Sequence, residues 1–176
     1  MNIAKKILLL VAVLVLLFSL SLDVSASQRT HFNTQNLNIP SGLTANELEK
    51  GLLKNLKPLA SEFIKAEKKY GVNAVFLASV SALESGWGEK GWSYKNNIFG
   101  YGNSMAFSSK SACIDYVASA IRRNYLNRSG IYHKGLSVAG VNYYYNGSDF
   151  WRDTVTDIMY EISARITKHS KSSTRA

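Results

Sequence analysis

Apolar positions along the chain fall into a leader, a polar stretch and a series of helical patterns. Ile7 to Phe18 is unbroken apolar sequence behind Lys5 and Lys6, and Ser19 to Ala26 turns small and polar, ending Val24-Ser25-Ala26. This succession predicts a signal peptide over residues 1–26, cleaved before Ser27. Twelve apolar residues fall short of the roughly 20 that a membrane-spanning helix needs. The alternative is an uncleaved anchor, reached by stretching the run to Leu22. Either way the rest of the chain is expected outside the cytoplasm, secreted or at the cell wall. Residues 27–57 begin polar, with Asn33, Asn36, Asn38 and Asn46 and little periodicity, and predict a linker or loosely attached N-terminal arm.

From Pro58 the pattern becomes helical. Leu59, Phe63, Ala66 and Tyr70 recur at spacings of three and four, opened by Pro58 and stopped by Gly71. Asn73 then reads as the N-cap of a helix through Leu83 that carries no charge, and an element apolar or small all round is buried all round. Glu84 is the first charged residue after Lys69, and Gly86 and Gly88 break the helix just beyond it. Residues 87–107, rich in Gly, Asn and aromatics, predict a short ordered loop or small β-hairpin lobe. A third helix is expected from Ser109 to Leu126, capped by Ser108 or Ser109, with Cys113, Val117, Ala120 and Ile121 on one face. A short helix over Gly135 to Asn142 precedes Tyr143-Tyr144-Tyr145. The last helix spans Asp149 to Lys168 with Trp151, Val155, Ile158, Met159, Ile162 and Ile166 as its buried stripe, and residues 169–176 read as a flexible tail. The expected architecture is one mostly α domain over residues 58–168.

Composition narrows the class. The chain has a single cysteine, Cys113, so no intramolecular disulfide can staple the fold, and its apolar surroundings make it a buried small hydrophobe. Net charge is +9, or +8 once Lys5, Lys6 and Asp23 leave with the leader. Export makes nucleic acid a poor partner and favours anionic wall polymers, the alternative being that the charge serves solubility alone. His31, His133 and His169 lack ligand spacing, so neither a metal nor another cofactor is expected. A monomer is expected.

Glu84 carries the candidate chemistry. A carboxylate at the end of a buried helix is disfavoured as an anion by desolvation and by the negative end of the helix dipole, which is how a general acid is kept protonated. The competing reading is a surface glutamate, or one paired with Lys90. Around it stand Trp87, Trp92, Tyr94, Phe99 and Tyr101, with Asn96 and Asn97. Aromatic faces suit the apolar sides of sugars and amides suit their hydroxyl and acetamido groups, while an ordinary aromatic core is the alternative for any one ring.

Ala82-Leu83-Glu84-Ser85-Gly86-Trp87-Gly88 followed by Asn96-Asn97-Ile98-Phe99-Gly100 resembles the glucosaminidases of glycoside hydrolase family 73. The likeness extends over about residues 58–166. It implies a lysozyme-like helical fold and an endo-β-N-acetylglucosaminidase acting on peptidoglycan, with Glu84 protonating the departing oxygen. Tyr145 would stand opposite as the second catalytic group, with Tyr144 the competing choice and aromatic packing the competing role. Ser85, Trp87, Asn96, Asn97, Phe99, Tyr101, Tyr144 and Trp151 would contact substrate. A conventional hydrolase needs a second carboxylate, yet none lies between Glu89 and Asp115, and Asp149 fits a helix N-cap. The substrate's own 2-acetamido group or a water placed by Tyr145 would then take that role. A lytic transglycosylase, an N-acetylmuramidase and a catalytically weak wall-binding protein are the alternatives.

Overall fold

The computed structural model describes residues 31–90, 95–102 and 105–173, with side chains to 170; the expected signal peptide, Trp92 and Tyr94 lie outside the described residues. Six α-helices are present among them: α1 Ala45–Gly51, α2 Ala60–Tyr70, α3 Ala74–Ser85, α4 Lys110–Ile121, α5 Val138–Tyr145 and α6 Asp149–Ser173. A 3-10 helix, Lys54–Leu59, leads into α2, and a π-helical turn, Arg122–Leu126, extends α4. The domain is mostly helical, as expected, and no helix among the described residues is long and apolar enough to cross a membrane.

The helix ends follow the local chemistry of the sequence. Asn73 Oδ1 accepts from the backbone N–H groups of Val75 and Phe76, satisfying two donors that the first turn of α3 leaves open. Gly71 (φ 65°) closes α2 and Gly86 (φ 55°) closes α3, both in the left-handed region that glycine adopts without steric cost. Ser109 caps α4 by accepting from Ala112. Ser137 caps α5, three residues later than the expected start, because Gly135 holds φ 117° and cannot begin a helix. As a result Tyr143, Tyr144 and Tyr145 form the last turn of α5 instead of following it.

Helix α3 sits at the centre. Ten of its side chains are buried, among them Val75, Phe76, Leu77 and Val80 with no exposure at all, and it packs between α2 and α6. From α2 come Phe63 and Ile64, from α4 Ile114 and Ile121, and from α6 Val155, Met159, Ile162 and Ile166. Ile158 of the expected stripe is only partly buried.

The N-terminal arm is not loose. Phe32, Leu37, Leu43, Leu48, Leu52 and Leu56 are buried in the same core, and α1 opens on a capping box formed by Thr44 and Glu47. The asparagines that suggested a solvated linker make turns: Asn33 Oδ1 accepts from the N–H groups of Gln35 and Asn36, and Asn36 Oδ1 from that of Asn38. The arm is fastened to the start of α3 at two buried polar groups. Asn73 Nδ2 donates to the carbonyls of His31 and Ile39. Glu67, 6% exposed, accepts from Ser41 N (2.8 Å), Ser41 Oγ (3.0 Å) and Ala74 N (2.7 Å).

No strand occurs among the described residues, and those of the expected loop or hairpin after α3 that are described form turns. Side-chain amides close it in place of a ladder, Asn96 Nδ2 donating to Phe107 O and Asn97 Nδ2 to the carbonyls of Tyr101 and Met105. The tail is also shorter than expected, because α6 continues to Ser173. Its late hydroxyls bond back into the helix (Thr167 Oγ1 to Ser163 O, Ser170 Oγ to Ile166 O), and neither Gly nor Pro follows to stop it.

Replacing Glu67 by Ala strands the Ser41 and Ala74 N–H groups in the interior. Urea denaturation is expected to show a loss of about 2–4 kcal/mol, since bonds to a charged acceptor contribute ~1.5–3 kcal/mol and orphaned donors add to the loss.

Candidate active site

The last turn of α3 carries Glu84 to the rim of the core. Ser85, fully buried, fixes the turn that follows: its Oγ donates to Ser81 O (2.6 Å) and accepts from Gly88 N (2.8 Å). Trp87 takes φ 64° with its N–H on Ala82 O, and its half-buried ring packs under the Arg165 guanidinium, 5.0 Å away. Both residues therefore hold the chain in shape, and neither lines the groove described below.

Glu84 itself is half-buried. Its Oε1 accepts from the indole N–H of Trp151 at 2.7 Å, and its Oε2 lies beside Gly100, where a Cβ would sit 3.5 Å away. Burial raises the carboxyl's pKa, and the Trp151 bond offsets this in part. Pairing with Lys90 is not seen; the nearby Glu89 pairs with Lys54 instead. Trp151, expected both in the buried stripe and among the substrate contacts, is 3% exposed and spends its indole N–H on Glu84.

Tyr145 reaches the same place from α5. Its hydroxyl donates to Phe99 O at 3.2 Å, and its ring lies 5.1 Å from that of Trp151. Burial, then the charge of Glu84, pushes the phenol pKa well up, so the hydroxyl stays protonated. The junction between α5 and α6 is tied by Asn142 Nδ2 donating to Ser148 O, which sets Tyr145 and Trp151 against each other. Asp149 is the first residue of α6, one place inside the cap, and pairs with Arg152.

Between these elements lies a groove of about 560 Å³. Glu84, Phe99 and Gly100 line it, and tyrosines 101, 125, 132, 144 and 145 also face it. Of the expected contacts, Phe99, Tyr101 and Tyr144 are thus brought to the groove. Asn97 is not: it is buried, donates to Tyr101 O and Met105 O, accepts from Tyr101 N, and holds the lobe together. Asn96, at φ 58°, spends its amide on Phe107 O and likewise does not line the groove.

Tyr125, Tyr132 and Asn146 were not anticipated. Tyr125 comes from the π-helical turn, which a regular helical pattern through Leu126 conceals. The available signal was a surplus of tyrosine, ten against seven phenylalanines, a type chosen where a ring needs one wet end. Burial raises the phenols of Tyr101 and Tyr125, the latter to about 12. Glu84 is the only carboxyl lining the groove among the described residues. Asp115 is bound by Lys69 and Tyr70, and Asp153 pairs with Arg152.

A sequence profile described as "Mannosyl-glycoprotein endo-beta-N-acetylglucosaminidase" (Glucosaminidase) matches residues 60–164, from the start of α2 into α6. Two curated proteins of Streptococcus pneumoniae, from serotype 4 strain TIGR4 and from strain R6, are each 29% identical to the chain over 120 residues. Both are named "Putative endo-beta-N-acetylglucosaminidase". The match covers 63% of this chain but only 18% and 17% of those proteins, so the chain spans less than a fifth of their length.

Because folding raises the Glu84 pKa, the folded chain binds more protons than the unfolded one between the two titrations. Stability at this group is therefore present below the ordinary carboxylate pKa and is lost as pH rises through the raised one. Glu84→Gln, which keeps an acceptor for Trp151, is expected to match wild type in melting temperature at acidic pH. It should exceed wild type by a growing margin as pH climbs through that window.

Proposed function

The chain belongs to the glucosaminidase family of glycoside hydrolases, and from that premise we propose that it is an exported endo-β-N-acetylglucosaminidase cutting the glycan strands of bacterial cell-wall peptidoglycan, with Glu84 as general acid. The observation that carries this reading is a single carboxyl, made reluctant to ionise by burial, in a groove walled by tyrosines. The family and the names of the bacterial relatives support the type of bond. A leader-like N-terminus and a charge of +9 suit a protein that meets an anionic envelope polymer.

Glycosidic cleavage requires a proton on the departing oxygen as the C1–O bond breaks. A carboxyl whose pKa is raised by burial keeps its proton to higher pH than a free one, and can deliver it as the departing oxygen gains negative charge. For the other half of the reaction, no second carboxyl lines the groove among the described residues. The sugar's 2-acetamido oxygen is a nucleophile already in place, and its attack on C1 gives a bicyclic oxazolinium ion that keeps its N–H. Water then opens that ring, its oxygen bonding C1 and its proton returning to Glu84. Tyr145 fits the water step: its O–H is committed to Phe99 O, so its oxygen lone pairs remain for a water donor. The exposed face of Tyr144, with Tyr101 and Tyr132, offers ring surfaces to the sugars.

The single carboxyl suits a lytic transglycosylase equally well, in which the sugar's own C6 hydroxyl replaces water. Mass spectrometry of digested wall separates the two. Reducing N-acetylglucosamine ends are expected; 1,6-anhydro-muramic ends would replace the hydrolase by the transglycosylase, and reducing muramic ends would mean a muramidase. Glu84→Gln should cut the rate by about 10² or more, the size of a general-acid contribution. Tyr145→Phe should lower kcat about ten-fold with KM little changed, as expected for one lost hydrogen bond of ~1.4 kcal/mol in the transition state.

A further inference from the structure

We propose that Trp151 is a positioning residue for proton transfer, its indole N–H holding Glu84 Oε1 so that Oε2, beside Gly100, is the oxygen that carries and delivers the proton. This rests on Glu84 acting as the acid. The indole nitrogen is a donor with no acceptor capacity. At 2.7 Å from Oε1 it binds the carbonyl-type oxygen of a neutral carboxyl far better than a hydroxyl oxygen. The proton is thereby placed on Oε2, next to a glycine that lines the groove.

The composition of α6 points the same way. Val155, Met159, Ile162 and Ile166 continue the buried stripe with side chains that offer packing alone. Trp151 is equally buried, yet it spends its polar atom on the half-buried carboxyl of another helix. Its position is fixed from two sides: the Tyr145 ring lies at 5.1 Å, and the preceding turn is held by the Asn142 bond to Ser148 and by Arg152 N on Ser148 O.

When Glu84 gives its Oε2 proton to the glycosidic oxygen and the C1–O bond breaks, the carboxylate left behind keeps the Trp151 bond, now charge-assisted and about twice as strong. When water attacks C1, its proton returns to Oε2. The other titratable groups that line the groove with Glu84 are phenols: Tyr144 and Tyr145 from α5, Tyr101 from the lobe, and Tyr125 and Tyr132 from the π-helical turn and the loop after it. No lysine or arginine lines the groove among the described residues, and Tyr145 donates to Phe99. Trp151 is thus the one described donor that favours the ionised acid.

The test replaces Trp151 with 3-benzothienylalanine, an isostere that keeps the two-ring shape and exchanges N–H for sulfur, beside Trp151→Phe. Two readouts are taken: the pH profile of wall hydrolysis, and a carbon-13 titration of the Glu84 carboxyl. Loss of the donor should raise the Glu84 midpoint and carry the basic limb of the profile to higher pH. It should also lower kcat on the acidic plateau about ten-fold, with KM within about two-fold, the size of one charge-assisted bond. An isostere with the wild-type midpoint and limb overturns the proposal, because packing alone would then be the role of Trp151. Should wild type prove inactive on wall glycan, the glycosidase reading fails, while the titration still decides whether Trp151 governs the proton on Glu84.

Discussion

Helix α3 has no charge between Asn73 and Glu84, and everything else in the domain is arranged to bury it on every side. A helix of this kind cannot lie on a surface, so α2 and α6 pack against it and the segment before α1 folds over its start. Fully burying Val75, Phe76, Leu77 and Val80 is worth about 1.5–3 kcal/mol for each of the larger side chains. Such sums exceed what it costs to hold one carboxyl half out of water. The same burial that stabilises α3 therefore makes Glu84 a weak acid at its far end.

The two ends of α3 treat carboxylates in opposite ways. At the beginning, Glu67 sits among backbone donors, including the first N–H of the helix, and is fully satisfied by three bonds. Its function is to fasten the arm. At the end, backbone carbonyls and a left-handed glycine leave no N–H group for Glu84, whose described donor comes from Trp151 on α6. The start of α3 thus holds a structural carboxylate that α2 supplies, while its end carries a chemical one, and the donors available at the two ends differ.

Much of this is legible in the sequence, and what is not has a common cause. Caps at Asn73 and Ser109, the stops at Gly71 and Gly86, and the uncharged character of α3 depend on residues within a turn of each other. The arm reads as a linker in the sequence because its anchors, from Phe32 through Leu37 and Leu43, follow no helical or strand period, and Asn33 and Asn36 mimic a solvated linker while closing turns. The motif residues Ser85, Asn96 and Asn97, expected at the substrate, bond through Ser85 Oγ, Asn96 Nδ2 and Asn97 Nδ2 to the backbone of the turn and lobe they hold. The burial of Trp151 follows from the helical stripe, but its partner lies 67 residues earlier in the chain.

What the sequence alone determined is local: helices, their caps, and a lone acid at the end of a buried segment, because propensity, capping and periodicity act over a few residues. The tertiary structure decided which polar groups face the acid. It brought α6 against α3 so that an indole N–H meets Oε1, and it turned α5 so that Tyr145 comes within reach of Phe99. It also opened the groove between the lobe and the π-helical turn. Those outcomes depend on how helices far apart in the chain settle against a common core. No pattern within one segment encodes that, and the proton affinity of Glu84 is set by it.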